Sequence, residues 1–511
     1  MRGPMGKGES VMKRTLKHDD VVFMFSASDP SAYAKYGATV VAWGGPHSLK
    51  DTGRLKEMGI HTASSIACQT AGAHDLHDNP DLLEATVRDL DGNPIAIPGL
   101  EHHAFQGTPF YYGCTNHPTF RSFIRKRLCE AMVGNPSGLH IDSHLGTAEP
   151  ALHSGGCFCD FCMRAFREHL STKTSPELLA EAGIVSPKGF DFRKYAKNLN
   201  MPGDGDNADQ SGNPLYQEFI DCQLARAAEN VASLGRISEE IVDSPVTLSV
   251  NACLPQLEHI VAAPLCTYLI GEVQHSAAEG IKNLINPVKA YRMAEALGRP
   301  FAATASMADW AFVKDHSADQ LVRLWIALAY ACGQRFMVPN RVRCFSREKG
   351  PEWYCGPSAT YAPLYAFVKK HAALFNDFSP EGPLSVPEDL PSSFETHEKR
   401  QRFASALEKG NPAPIQAGDG AWVFPRCRPD GLNVAHVVNI AYDNAQKKII
   451  PRRNLKISLP ENLFNRNFDM ATVHAFGRDA VKVPVESSDG KISVVLDEVS
   501  LWSIVAFEYW Q

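Results

Sequence analysis

Eight short apolar, β-rich runs alternate with helical patterns, a polar turn-rich stretch follows, and after it come strands alone. These three observations predict an α/β fold: a (β/α)8 TIM barrel followed by a C-terminal antiparallel β-sandwich. The runs are Val21–Ala27, Ala38–Gly45, Ile60–Gln69, Gly138–His144, Val246–Cys253, Thr267–His275, Pro300–Ser306 and Arg335–Asn340. Helical patterns fill His117–Val133, Tyr216–Ile241, Asn286–Leu297 and Ser317–Gly333. Strands separated by helices pair in parallel, because only a long crossover returns the chain in the same direction. A doubly wound open sheet is the rival, but no glycine fingerprint follows the first run. Residues 376–420 are rich in Pro, Gly, Ser and charge. Beyond them come AWVFPRC, NVAHVVNI, LKISLP, ATVHAFG, AVKVPV, KISVVLD and LWSIVAFEYW, several divided by turns such as DG. The chain thus divides into a leader over 1–15, a barrel over 16–378, a linker over 379–414 and a sandwich over 415–511.

At 511 residues the chain is too long for one ordinary domain. Its net charge of −6 leaves no basic footprint for nucleic acid. No apolar run approaches the roughly 18 residues of a membrane span. The basic N-terminus has no apolar stretch behind it, unlike a secretory signal. An odd count of 13 cysteines argues against a full disulfide framework, so a cytoplasmic setting is expected. A homo-oligomer is compatible with these totals.

A barrel carries its function at the C-terminal ends of its strands and in the loops beyond them. Those positions hold Trp43 and His47, Cys68 and Gln69, Asp142 and His144, Asn251, Glu272 and His275, and Asn340 and Arg341. Sugar hydroxyls need such donors and acceptors, so these residues, with His102 and His103, are candidate carbohydrate contacts. His102 and His103 lie in a long connection after the third run, of a length that suits a lid or binding wall. The DLDG piece there lacks the spaced ligands of a calcium loop and reads as a turn. Trp43, Trp310 and Tyr112 are candidates to stack on a sugar ring, with core packing as the alternative for Trp43.

The spacing C-x-C-x-x-C of Cys157, Cys159 and Cys162 is too compressed for chance core residues. Thiolates so placed suit tetrahedral zinc, and Cys114 at the end of the long connection is the fourth candidate. Four thiolates would close the coordination sphere, making the zinc structural, and no cofactor is expected for catalysis. The alternative is a set of reduced thiols in a glycine-rich loop. Cys114 followed by NHPTFRSFIRKRL, a strand, and then CFCDFCMRAFREHL resembles the family 42 β-galactosidases, whose corresponding cysteines bind zinc. The resemblance covers roughly residues 110–170 and implies a barrel-plus-sandwich glycosidase. That family ends its fourth strand with Asn-Glu; this chain has Ile141-Asp142-Ser143-His144. The seventh run, PFAATASMADW, offers no Glu either, so the family's catalytic residues do not carry over.

Glycoside hydrolysis generally needs two carboxyl groups flanking one bond, about 5–5.5 Å apart for retention. Only Asp142 and Glu272 directly close apolar strands here. Their fourth- and sixth-strand placement resembles the α-fucosidase and α-galactosidase barrels, which implies Asp142 as nucleophile and Glu272 as acid/base. The competing roles are a helix cap for Asp142 and a salt bridge to a neighbouring barrel residue such as Arg341 for Glu272, with Glu149 the next candidate acid. A catalytic metal on His144, Glu272 and His275 is weaker, since E-x-x-H on a strand end splits the side chains between two faces. The expected function is a retaining, exo-acting glycosidase of a small oligosaccharide or glycoside. Its rivals are a non-catalytic carbohydrate-binding protein on a degenerate barrel, and a metal-dependent lyase or hydrolase.

Overall fold

Every predicted barrel run forms a strand in the computed structural model, which describes residues 14–45, 48–100, 104–199, 213–346, 349–380, 386–410, 414–464 and 468–508. The strands are β1 (Val22–Phe23), β2 (Val40–Gly44), β3 (His61–Ala67), β4 (Gly138–Asp142), β5 (Thr247–Val250), β6 (Leu269–Val273), β7 (Phe301–Ala305) and β8 (Arg335–Phe336). Strands β1 to β5 form one parallel sheet in chain order, and β6 to β8 form a second. At one seam Phe23 bridges Val338, just beyond β8; at the other Asn251, just beyond β5, bridges Ile270. Val338 N–H donates to the Val22 carbonyl at 2.8 Å, and Ala252 N–H to the Ile270 carbonyl at 2.6 Å. The second seam needs a glycine, because a Cβ on Gly271 would sit 2.1 Å from the Ala252 carbonyl oxygen.

Alternation of side chains along each strand separates two apolar layers. Val22, Val40, Ala42, Ile270, Ala302 and Met337, drawn from both sheets, form one small cluster. Phe23, Val41, Leu139, Ile141, Leu269 and Phe301 belong instead to the main core, which they share with the helices. The helix Asp319–Ala331 is apolar on nearly every side and almost wholly buried. Its reason is cover from two directions: the same core runs on into Trp422, Val434 and Ile504 of the C-terminal strands. Trp502 seals this junction, 5.2 Å from Phe367 and 5.4 Å from Phe375 between ring centres.

The strand-only C-terminal pattern holds. Ala421–Cys427, Asn433–Asn439, Trp502–Glu508, Met470–Ala475 and Val481–Pro484 pair antiparallel, with Ser379–Pro380 and Ile415–Ala417 completing seven strands. Arg452–Pro460, Lys491–Val499 and Glu486–Ser488 make a three-stranded sheet. Val423, Val437 and Val505 of the first share an apolar cluster with Ile457, Val494 and Leu496 of the second.

Two segments depart from expectation. The stretch read as linker, 379–414, contains a helix over His397–Gly410. Its Arg400 is buried and pairs with Asp221 at 2.8 Å, so this segment is anchored to the helix Pro214–Val242. Beyond β8 the chain forms an unforeseen hairpin, Asn340–Ser346 against Gly350–Cys355. Within the long connection after β3, Thr70–Ala71 pairs with Tyr111–Tyr112, and Asp89 closes the DLDG turn by accepting from Asp91 N–H and Asn93 N–H. Among the described residues no helix is long and apolar enough to cross a membrane.

Candidate active site

Asp142 is the last residue of β4 and Glu272 the fourth of β6. Period two puts Asp142 on the face of His140 and Glu272 on the face of Ile270, away from the helix-facing Ile141 and Leu269. Both carboxyls are therefore directed inward at the C-terminal ends of their strands. The Asp142 carboxylate accepts from Ser143 N–H at 2.8 Å and from Asn251 Nδ2 at 3.1 Å. Burial raises its pKa, and these two donors act against that rise. Glu272 is pushed up to about 7, first by burial and then by the charge of Asp142, with Arg343 opposing. The two acids thus share one electrostatic environment, in which the charge of Asp142 favours a proton on Glu272. Cys253, just past β5, lies in the same field: burial, then Glu272, Glu149 and Asp142, push its thiol up to about 12.

Neither competing role is met. The helix Ala148–His153 is preceded by Thr147, and Asp142 caps no helix. Arg341 donates to the Ser26 carbonyl at 3.2 Å and lies over Trp353, away from any ion pair with Glu272 among the described residues. Glu149 is partly buried with its pKa raised, first by burial, so it has the environment of an acid but stands off the strand ends.

The predicted contacts scatter. Trp43 packs on His140 at 4.4 Å and Phe25 at 5.9 Å between ring centres. Asn251 holds Asp142, and its Oδ1, like Oδ1 of Asn340 and Oε1 of Gln69, is buried without a protein partner. His275 is corrected from a mouth residue to a core one. Its backbone N–H is drawn to Asp309 Oδ2 at 2.8 Å, which turns the ring against Trp325, 4.5 Å away. His144 is likewise buried, with Nε2 3.3 Å from the His259 carbonyl. Burial lowers the pKa of His144 to about 3 and of His275 to about 4, so both are neutral. Trp310 and Tyr112 are core residues too. His47, His102 and His103 lie outside the described residues.

Sequence reasoning missed Trp353, on the unforeseen hairpin. It is 46% exposed, touches Phe25 edge-on at 5.6 Å, and carries the guanidinium groups of Arg341 and Arg343 over its ring. No periodicity marks a two-stranded excursion beyond the last strand; an exposed tryptophan between turn residues was the one available signal.

The cysteines converge as the spacing predicts. The sulfurs of Cys114, Cys157, Cys159 and Cys162 lie within 4.8 Å of one another, and three of the four residues are buried. The backbone between their loops is joined by Phe158 N–H donating to the Arg88 carbonyl at 2.8 Å. Arg88 N–H donates to Cys157 Sγ at 3.4 Å and Asn116 Nδ2 to Cys162 Sγ at 3.2 Å, as outer partners of thiolates do. The set can hold a metal ion. Among the described residues it is the only such group, so His144, Glu272 and His275 do not converge as ligands.

No family model matches the chain. The α-agarase of Thalassotalea agarivorans is 24% identical over 396 residues, covering 72% of this chain and 26% of the relative. That of Alteromonas agarilytica is 23% identical over 378 residues, covering 68% and 25%. The chain resembles the glycoside hydrolases. It spans about a quarter of the length of these curated relatives. Among solved structures, α-L-fucosidase isoenzyme 2 from Paenibacillus thiaminolyticus superposes with a TM-score of 0.54 at 10% identity, over 97% of this chain and 100% of its own. A cycloisomaltooligosaccharide glucanotransferase from Paenibacillus sp. gives 0.51 at 9%, over 90% and 74%. Identities this low speak for the fold alone. The family 42 likeness rests on the cysteine segment, while the relatives point to the wider superfamily.

Proposed function

We propose that the chain is a retaining glycosidase in which Asp142 is the nucleophile and Glu272 the acid/base. The observation that carries this is the pairing of a strand-end carboxylate held by two donors with a second, inward-directed carboxyl at about 7. An acid with that pKa keeps its proton near neutrality and can deliver it to the leaving oxygen while Asp142 attacks the anomeric carbon. Glu272, now ionised, then takes a proton from the water that releases the sugar from Asp142. The eight strands are read as one closed barrel, a reading supported by the bridges at both seams. The two C-terminal sheets around their shared apolar cluster are read as a sandwich.

The cysteine quartet would hold structural zinc, clipping the β3 connection to the segment after β4 beside the site. Exo action on a short oligosaccharide or glycoside, in a cytoplasmic setting, completes the proposal. The names of the relatives place agar-type galactans beside aryl glycosides among the substrates to test. Purified protein is screened against aryl glycosides of both anomeric series and agarose oligosaccharides, with proton NMR of the first-formed product. Turnover with retained configuration that vanishes in Asp142→Asn supports the assignment. Inversion, or full activity in Asp142→Asn, overturns it.

A further inference from the structure

We infer that the hairpin beyond β8 is a subsite for an anionic sugar, carrying a sulfate ester or a carboxylate, with Trp353 as its platform and Arg341 and Arg343 as its charge. This deepens the glycosidase reading by naming a substrate class, and it rests on that reading.

The hairpin register places Arg343 directly opposite Trp353, so their side chains share one face. A bulge between Asn340 and Val342 brings Arg341 to the same ring: the two guanidinium carbons lie 5.1 and 5.6 Å from its centre. The bulge residue itself takes φ of +56°, a left-handed conformation that a β-carbon disfavours and that surrounding structure must hold. Two cationic groups are thus gathered about one indole. Among the described residues neither arginine has a carboxylate partner, although the protein as a whole is acidic with a net charge of −6. Repulsion between unpaired guanidinium groups is relieved by an anion, and their planar forks suit sulfate and carboxylate oxygens.

The position relates to the proposed reaction. From exposed Trp353 the rings run inward through Phe25 to Trp43, at 5.6 and 5.9 Å, and Trp43 covers His140 two residues before Asp142. Trp353 is therefore the exposed end of an aromatic series that leads back to the strand carrying Asp142. Arg343 also acts electrostatically on Glu272, which places its charge within reach of the reacting groups. Overall negative charge works against unspecific retention of polyanions, so a preference for them would be local in origin.

The test is affinity electrophoresis of the full chain through gels containing agarose, a sulfated galactan or a polyuronate, at low and at 0.5 M salt, alongside hydrolysis of the same polymers. About tenfold tighter retention by one charged polymer than by agarose is expected, weakened by salt. Whether sulfate or uronate is preferred names the source of the anion. Arg341→Gln/Arg343→Gln should abolish the preference while binding to agarose persists, and Trp353→Ala should weaken all binding. The change in Glu272 caused by losing Arg343 cancels when charged and neutral polymers are compared on one variant. Equal retention on all gels, or a preference unchanged in the double variant, overturns the subsite. Turnover of neutral polymer without anion preference sinks the subsite and leaves the glycosidase reading. Arginine-dependent anion binding without turnover of anything does the reverse.

Discussion

Replacing Glu272 by Gln should make the protein more stable at alkaline pH while destroying its proposed acid. Free glutamate titrates near 4.5, and in the fold Glu272 does so at about 7. The folded state therefore holds a proton that the unfolded chain has lost, and it binds more protons across that window. Stability from this group is fully present below about pH 4.5, falls as pH rises, and is gone above about 7. At 1.36 kcal/mol per pH unit, holding the charged carboxylate in the fold costs about 3 kcal/mol. Glutamine has the same shape and never ionises. The stability difference between Glu272→Gln and wild type should thus grow from near zero at pH 4.5 to about 3 kcal/mol at pH 8, in favour of the variant. For a chain of 511 residues this is a Tm difference of about 3 °C. Guanidinium and thermal melts of both proteins at pH 4.5, 6 and 8 measure it, and taking the difference cancels the titrating groups that Glu272 does not influence. Asp142→Asn supplies a second check, since removing that charge should lower the Glu272 pKa and move the end of the window down. Parallel pH dependence in wild type and Glu272→Gln would refute the reasoning, because the carboxyl would then be ionised at no cost.

Asp142→Asn should abolish turnover of every substrate, whereas Glu272→Gln should lose least on substrates with good leaving groups, with azide restoring part of the rate. Elemental analysis should find close to one zinc per chain, and Cys159→Ser should lower both metal content and Tm; equal stability of metal-free protein would end the clip idea. Gly271→Ala should cost about 1–3 kcal/mol in denaturant melts and disturb Glu272 next to it, since its Cβ meets the Ala252 carbonyl at 2.1 Å. Arg400→Ala should cost about 3 kcal/mol by leaving Asp221 buried without its cation, and limited proteolysis should then cut within His397–Gly410.

The strands were legible because their signal is local: short β-branched runs such as VVFMFSA and GLHIDSH, bounded by Gly, Pro and polar turns, can be little else. The cysteine quartet was legible for a related reason, since three of its members fall within six residues and their spacing is itself the chemistry. The helix His397–Gly410 was hidden by its own composition. It buries only Arg400, Phe403 and Leu407, so almost no apolar stripe marks it amid charged neighbours. His275 and His144 could not be placed, because a sequence position at a strand end fixes neither the direction the chain turns next nor the wall it meets. Period two fixed the faces of Asp142 and Glu272, and the sequence alone brought both to strand ends. What tertiary structure decided is the field between them: 130 residues apart in the chain, they are coupled because the fold sets β4 and β6 on either side of β5, where burial strips the water that would otherwise screen one charge from the other.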